Sequence, residues 1–575
     1  AERGGDDLLG ALEAANTLYE SGAAVFATPL IERQQHKRLM PNDPMFGQQW
    51  HLHNTAQVSG AVAGNDVNII EQWDTYTGAG VNIAITDSGV QVSHPDLSPN
   101  ARTDIDIDIN GNDDDPTPTS DPHGTSCAGI AAAAGQNSVG VIGAGFDAGI
   151  VGIRLIEAPT TDAEEAEAMT HQMAPASASD RVHINSNSWG PFDSGQQLAT
   201  FGPLTGAALA DGVAQGRGGN GIIYVWAAGN GRANNDNVNY DGYASSRYTI
   251  AVGATGGDGV VSWYSEPGAS MFVNAPSSYT GAGTTTTTTG SGYTSGFGGT
   301  SSACPLAAGV IALMLEANPN LTWRDVQHIL ADTAFQNHPA DGGWFTNGGG
   351  LLFNHNYGFG RVDAAAAVDR VSDWQNIEPE TTVASPVMNV NTVVPDNNAT
   401  GVTSMISLES VPDGFFVEHV EVVLNATHAF GGDFTITLTS PQGTTSTLAT
   451  TNGNRSDDYS NWLFTSVAHW GEDPTGAWSL KLADLFFADV GTFVNWKITV
   501  YGFTVDSNVV SADANHTGIV NGHHNWPFND FQAAYDAVDP GGTVQVQSNF
   551  TLAGPSTFSK AATLDASSTV QIGTS

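Results

Sequence analysis

Cysteine is nearly absent from this chain: Cys127 and Cys304 are the only two in 575 residues. No disulfide framework can hold the fold, which leaves packing and bound metal to do so. The spacing of the two cysteines leaves open whether they pair. Positive charge is almost as scarce, with 17 Lys and Arg against 59 Asp and Glu and a net charge of −42. That balance excludes nucleic acid as a partner, because phosphate binding depends on Lys and Arg. It suits a solvated extracellular surface, calcium or cationic substrates. No apolar run approaches the ~20 residues that cross a bilayer, so no transmembrane segment is expected. A starting Met and a signal peptide are both missing, and the last residues, 571–575, carry no closing feature. We read the chain as a fragment or trimmed precursor of a secreted or cell-surface protein.

What is present divides into segments, and 575 residues imply three or four domains. Residues 1–38 carry a helical pattern over 8–19, a strand-like stretch over 24–31 and a basic cluster from Arg33 to Arg38. Residues 39–371 alternate apolar strands (81–86, 150–155, 222–227) with helices (125–134, 302–317), which predicts a parallel sheet flanked by helices. The threonine run 284–289, bracketed by glycines, reads as a low-complexity surface loop. From 377 to 503, short Thr/Val-rich strands between Gly, Pro, Asn and Asp turns predict an antiparallel β-sandwich. Residues 504–575 form a separate β-rich piece.

Three stretches in the α/β segment carry chemistry. An apolar strand, Ile83-Ala84-Ile85-Thr86, ends on Asp87; His123-Gly124-Thr125 opens a helix of small residues; and Gly299-Thr300-Ser301 starts another helix. A serine hydroxyl cannot attack an amide unaided, so an imidazole must take its proton and a carboxylate must orient that imidazole. A helix N-terminus places a favourable dipole beside the developing negative charge. Asn230, in Ala228-Gly229-Asn230-Gly231 after a buried strand, offers a side-chain amide to the oxyanion. Each piece alone reads as a turn or a helix cap. Together, in the order Asp, His, Ser, they match one known triad arrangement.

With Gln48-Gln49-Trp50, Ser188-Trp189-Gly190-Pro191, Gln215-Gly216-Arg217-Gly218-Gly219 and the stretch 299–330, the segment resembles the subtilisin superfamily, and more closely the kexin and furin type, the proprotein convertases. The resemblance implies a calcium-dependent serine endopeptidase with Asp87, His123 and Ser301 as triad and Asn230 in the oxyanion hole. It also implies about three Ca2+ sites: Asp43, Asp96 and Asn137; Asp108, Asp113 and Asp115; and Asp193, Asp236 and Glu266. For the acidic loop 108–115 a plain solvated surface is the alternative. In convertases the third calcium lies beneath the pocket for the residue preceding the scissile bond. Asp241 matches the carboxylate at that pocket's floor, and Ser188, Trp189, Gly190 and Asp193 border it. Protein or peptide substrates with Arg or Lys before the cut are therefore expected. Ser88 departs from the pattern, since convertases carry a second Asp there for the next pocket; Asp121 is expected to compensate in part. Glu165 matches a more distant basic-recognition carboxylate, while the loop 194–201 lacks its usual acidic companion.

Residues 1–38 resemble the end of a subtilisin propeptide, an intramolecular inhibitor and chaperone, and His36-Lys37-Arg38 would suit autocleavage after Arg38; an uncleaved linker is the alternative. His428 to Thr444 and Trp470 to Trp478 resemble the P domain of convertases, a jelly-roll-like sandwich. From Asp513 onward the chain resembles the first coils of a parallel β-helix. A monomer is expected. The competing reading is a catalytically silent subtilisin-like scaffold for binding or adhesion, against which the presence of all four catalytic residue types argues.

Overall fold

The computed structural model describes residues 16–21, 40–454, 458–516, 520–548 and 560–566. Contacts divide the chain into two units, Ala1–Met40 and Pro41–Ser575. In the first, residues 16–20 are helical, overlapping the end of the helix expected over 8–19. The expected strand 24–31 and the basic run ending at Arg38 lie outside the described residues.

The second unit opens on a seven-stranded parallel sheet. In chain order its strands are β1 (Asn82–Asp87), β2 (Ile107–Asp108), β3 (Gly149–Arg154), β4 (Ile184–Asn187), β5 (Ile223–Ala227), β6 (Thr249–Thr255) and β7 (Val273–Pro276). Their spatial order is β2-β3-β1-β4-β5-β6-β7. Every residue of β1, β4, β5, β6 and β7 is buried, as strands covered on both faces require. The chain leaves β1 to one side towards β3 and returns on the other side at β4, so the sheet's topological switch lies at the carboxyl end of β1. Ligand crevices form at such points, and Asp87 is the last residue of β1.

Two helices meet behind this switch. His123–Ala132 is built of small residues, all buried except the histidine, so it packs closely on its neighbours. Thr300–Ala317 is apolar on every side and nearly wholly buried. Among the described residues it is the one helix with the length and hydropathy of a membrane span, although the sequence has no apolar run of that reach. With 83% of that span buried inside the domain, it serves as the central core helix.

The threonine run corrects a sequence expectation. Thr284–Thr288 is β8, paired antiparallel with β9 (Gly292–Phe297), and its first four residues are buried. The hydroxyls of Thr286 and Thr287 donate to the carbonyls of Ser126 and Thr125 at 2.8 and 2.7 Å. Polar side chains become core here because each hydroxyl finds a backbone acceptor.

The sandwich follows. One antiparallel sheet contains Phe415–Thr427, Gly491–Thr504 and Tyr459–Ser466; the other contains Val402–Leu408, Gly476–Asp484, Phe434–Thr439 and Thr445–Ala449. Trp478, Trp496, Phe434 and Phe464 fill its core, and Tyr240 and Ala269 of the α/β domain join that cluster. The junction also buries charge. Arg324 makes a two-pronged contact with Glu418, through Nε at 2.9 Å and Nη2 at 2.7 Å, and His328 Nε2 lies 2.7 Å from the same carboxylate.

Beyond the sandwich, Val509–Ala512, Thr543–Val546 and Thr563–Ala566 form a parallel three-stranded sheet under the helix Phe531–Ala537. Trp526 Nε1 donates to Asp332 at 2.6 Å, tying this piece to the α/β domain.

Candidate active site

Asp87 is fully buried, and its Oδ1 lies 2.8 Å from His123 Nδ1. The approach depends on Gly124: a β-carbon there would press on the Gly89 carbonyl and come within 2.9 Å of Asp87 Cβ. Ser88 tightens the same junction. Its Oγ donates to the Asp121 carbonyl and accepts from the Gly124 N–H, both at 3.1 Å. A serine thus bridges the two segments where a convertase would place its second carboxylate. The Asp121 carboxylate, exposed, accepts the His123 N–H at 3.0 Å. Burial pulls the His123 pKa down, but the Asp87 carboxylate outweighs it and holds the value well above the usual imidazole range.

Ser301 lies in the first turn of Thr300–Ala317, after Gly299 at φ +73°. Its hydroxyl donates to the Ser188 carbonyl at 3.4 Å, and among the described residues no hydrogen bond joins it to His123. Triad bonds are commonly loose before substrate binds. Asn230 follows β5. Its Oδ1 accepts from Thr300 N and Oγ1 at 2.9 and 3.1 Å, which makes the amide nitrogen the donor end, with the Asp193 carboxylate beside it. Both cysteines are free and buried. Burial raises the Cys127 thiol pKa, and its Sγ lies 3.7 Å from Asp87 Oδ2 and 3.5 Å from the Ser301 carbonyl. Nothing in the sequence beyond the shared motif pointed to that neighbour.

A pocket of about 390 Å³ opens beside Ser301, bounded by Ser188, Trp189, Gly190, Asn230 and Asp241. Burial pushes the Asp241 carboxyl up to about 8, against the opposing effect of the Tyr243 and Ala244 N–H groups that donate to it. Neighbouring Asp193 and Asp236 raise it further. Such a carboxyl gains from any cation brought against it.

Asp193, Asp236 and Glu266 converge on the Gly229-Asn230-Gly231 turn. Asn230 N–H donates to Asp193 and Gly231 N–H to Glu266, both at 2.8 Å. A β-carbon on Gly229, at φ +100°, would overlap the Glu266 carboxylate. Burial raises all three carboxyls, Asp236 to about 6, and each lies in the field of its neighbours or of Asp241. Asp96 accepts from Asn137 Nδ2 and Val141 N–H, while Asp43 accepts from the Gln136 and Asn137 N–H groups, so this second set is also brought together. The loop set differs. Asp108 is ion-paired with Arg154, whose other partner is Glu157 at 2.6 Å, so protein already neutralises that carboxylate. Asp113 and Asp115 instead accept backbone N–H groups of the loop and its exit. Glu165 is buried and saturated, accepting from Tyr243 Oη at 2.7 Å, Thr160 Oγ1 at 2.8 Å and Thr205 Oγ1 at 3.3 Å.

Known proteins carry the same organisation. The subtilase family model matches residues 78–360 and the proprotein convertase P-domain model residues 417–500. The chain is 38% identical over 481 residues to rat neuroendocrine convertase 2, spanning 80% of this chain and 74% of that protein. It is 39% identical over 469 residues to the PC3-like endoprotease variant B of Hydra vulgaris and 36% over 488 residues to kexin of Saccharomyces cerevisiae. Those matches span 79% and 83% of this chain but only 65% and 58% of the relatives. In fold, the crystal structure of the serine protease of Aeromonas sobria superposes with a TM-score of 0.72 at 24% identity, covering 82% of this chain and 97% of that one. The chain belongs to the subtilase family, in its kexin- and furin-type branch that joins the subtilisin-like domain to a convertase P domain.

Proposed function

We propose that this chain is a secreted or cell-surface, calcium-dependent serine endopeptidase that cuts after arginine or lysine. The observation that carries this is the pocket floored by Asp241 and opening on Ser301, beside the bonded Asp87–His123 pair. In this reading Ser301 Oγ attacks the scissile carbonyl while His123 takes its proton, and Asp87 fixes the tautomer and stabilises the imidazolium. The Asn230 amide nitrogen and the N–H groups of the first helical turn receive the oxyanion; one such donor contributes about 10²–10³ in kcat. His123 then returns the proton to the leaving amine.

Substrate specificity in this reading comes from charge. A guanidinium or ammonium head entering the pocket would draw the raised Asp241 carboxyl back to its charged form. Exposed Asp121 would act further upstream, Glu165 only by giving up its bonds to Tyr243, Thr160 and Thr205, and the segment 188–190 would hold the substrate backbone. With Ser88 engaged between the Asp87 and His123 segments, demands upstream of the cleaved residue are looser than in a convertase.

The residues fit calcium best at Asp193, Asp236 and Glu266, whose carboxyls are raised by burial, those of Asp236 and Glu266 also by their acidic neighbours, which a hard cation would relieve. Asp43, Asp96 and Asn137 would form a second site; Asp108, Asp113 and Asp115 fit a third less well, because Asp108 would have to leave its ion pair with Arg154. Bound calcium would supply fixed positive charge beneath the pocket. We assign residues 1–38 to the end of a propeptide removed after Arg38, 39–371 to the catalytic domain, 377–503 to the P domain and 504–575 to the start of a β-helix-like module.

The test is labelling by a fluorophosphonate probe together with peptide-library cleavage, with and without a calcium chelator. Labelling lost in Ser301→Ala, cleavage after Arg or Lys and loss of turnover on chelation are expected. Labelling that survives in Ser301→Ala, or cleavage after aliphatic residues, would overturn the reading.

A further inference from the structure

The carboxylate that floors the pocket is carried by a segment seated on the other domain. Val238–Tyr240 form a single 3-10 turn just before Asp241, whose N–H closes it on the Val238 carbonyl at 3.2 Å. Such a turn fixes several dihedral angles for one hydrogen bond, so it takes its position from what it packs against.

What it packs against is the sandwich. Among the described residues, Thr445–Ala449 and Tyr459–Ser466 are end strands of the two sheets, and their outer backbone groups have no further strand to pair with. Asn239 answers one group on each edge. Its Oδ1 accepts the Thr465 N–H at 3.0 Å, and its Nδ2 donates to the Leu448 carbonyl at 3.3 Å. The Asn239 carbonyl accepts from Trp462 Nε1 at 3.1 Å. Tyr240 Oη donates to the Thr450 carbonyl at 2.8 Å and accepts the Thr450 N–H at 3.1 Å, while its ring lies in the sandwich core. Both residues are buried, where an unpaired amide or hydroxyl is costly, so these bonds leave the turn one seat.

The grip extends to the start of the same segment. Asp236 Oδ2 accepts the Gly195 N–H at 2.7 Å, and the Gly195 carbonyl accepts the Gly453 N–H, from a loop of the sandwich, at 2.8 Å. The sandwich therefore holds the chain on both sides of the turn that leads into Asp241.

We propose that Asn239 and Tyr240 are positioning residues for the selection of arginine and lysine: through them the sandwich sets where the Asp241 carboxylate stands in the pocket. This rests on the reading of Asp241 as the floor for a basic side chain. A guanidinium meets a carboxylate through two parallel hydrogen bonds, which depend on alignment. A displacement of about 1 Å costs on the order of 10² in rate. Neither Asn239 nor Tyr240 lines the pocket, so each acts on substrate only through Asp241.

The test compares the full chain with its Asn239→Ala, Tyr240→Phe and Asp241→Asn variants at saturating Ca2+. Paired peptides carry arginine or citrulline before the cut, and citrulline keeps the shape without the charge. Rates are taken per active site titrated with the fluorophosphonate, so unfolded molecules do not count. For the arginine peptide, kcat/KM should fall at least about tenfold in Asn239→Ala and about threefold in Tyr240→Phe, with the citrulline peptide changing less than about twofold. Tyr240→Phe keeps the ring in the core and is the safer variant in folding. Added to Asp241→Asn, either change should lower arginine turnover little further. A merely structural role would lower both peptides alike. A ratio of arginine to citrulline turnover unchanged in Tyr240→Phe, or full additivity with Asp241→Asn, would overturn the proposal while a wild-type preference for arginine left the pocket reading standing. No wild-type preference for arginine would overturn the pocket reading, and this inference with it.

Discussion

At the residue scale, the pair Asp87 and His123 shows how much depends on the space around a motif. The carboxylate favours the imidazolium, and a general base must be neutral to act. Activity should therefore fall as pH drops, with the acid limb of kcat/KM lying above the ordinary imidazole value of about 6.5. A pH–rate profile on a neutral peptide surrogate checks this, and full activity maintained below that value would contradict it. Asp241 governs selection. Asp241→Asn removes the charge but keeps the shape, and should lower kcat/KM for arginine substrates by roughly 2–5 kcal/mol, at least about 30-fold. Turnover of a substrate with an uncharged residue at that position should change far less, and steady-state kinetics on the two substrates separates these outcomes. The residue types were legible because acyl transfer admits few of them. What Ser88 does was not, since a hydroxyl that joins a carbonyl and an N–H far along the chain leaves no sequence pattern.

At the element scale, strand and helix positions in the α/β domain were readable to within a few residues. The expected strand 222–227 is observed as Ile223–Ala227, and the expected helix 302–317 as Thr300–Ala317. Apolar periodicity records burial directly, so these elements announce themselves. The hairpin at Thr284–Thr288 does not, because its burial is satisfied by hydroxyl–carbonyl bonds to a helix some 160 residues away in sequence. That helix starts at His123, so the hairpin buttresses the histidine's own element. Thr287→Val keeps volume and removes the bond to the Thr125 carbonyl. It should destabilise the protein by about 1–3 kcal/mol, seen as a lower Tm in calorimetry. An unchanged Tm would mean that water replaces the hydroxyl.

At the scale of the whole molecule, the joint between the α/β domain and the sandwich rests on a buried charge as well as on shared apolar core. Glu418 is held well below the usual carboxylate range. Burial opposes its ionisation, but Arg324 and His328 outweigh that. A carboxylate depressed in the folded state stabilises above its unfolded value of about 4.3 and loses that contribution as pH falls through the lower folded value. Glu418→Gln should thus cost roughly 3–5 kcal/mol at neutral pH, because Arg324 is left buried without its counter-charge. It should also flatten the acid limb of the stability curve; denaturant melts at several pH values measure both. The sequence by itself determined the residue chemistry, the alternation that makes a parallel sheet and the change of texture into a sandwich, because each is written in local pattern. Only the tertiary structure decided where charge meets charge: which carboxylates crowd together, which one Arg154 already neutralises, and how Glu418 joins two domains. Those pairings link residues far apart in the chain, and their energies depend on distance and burial, which only the folded structure sets.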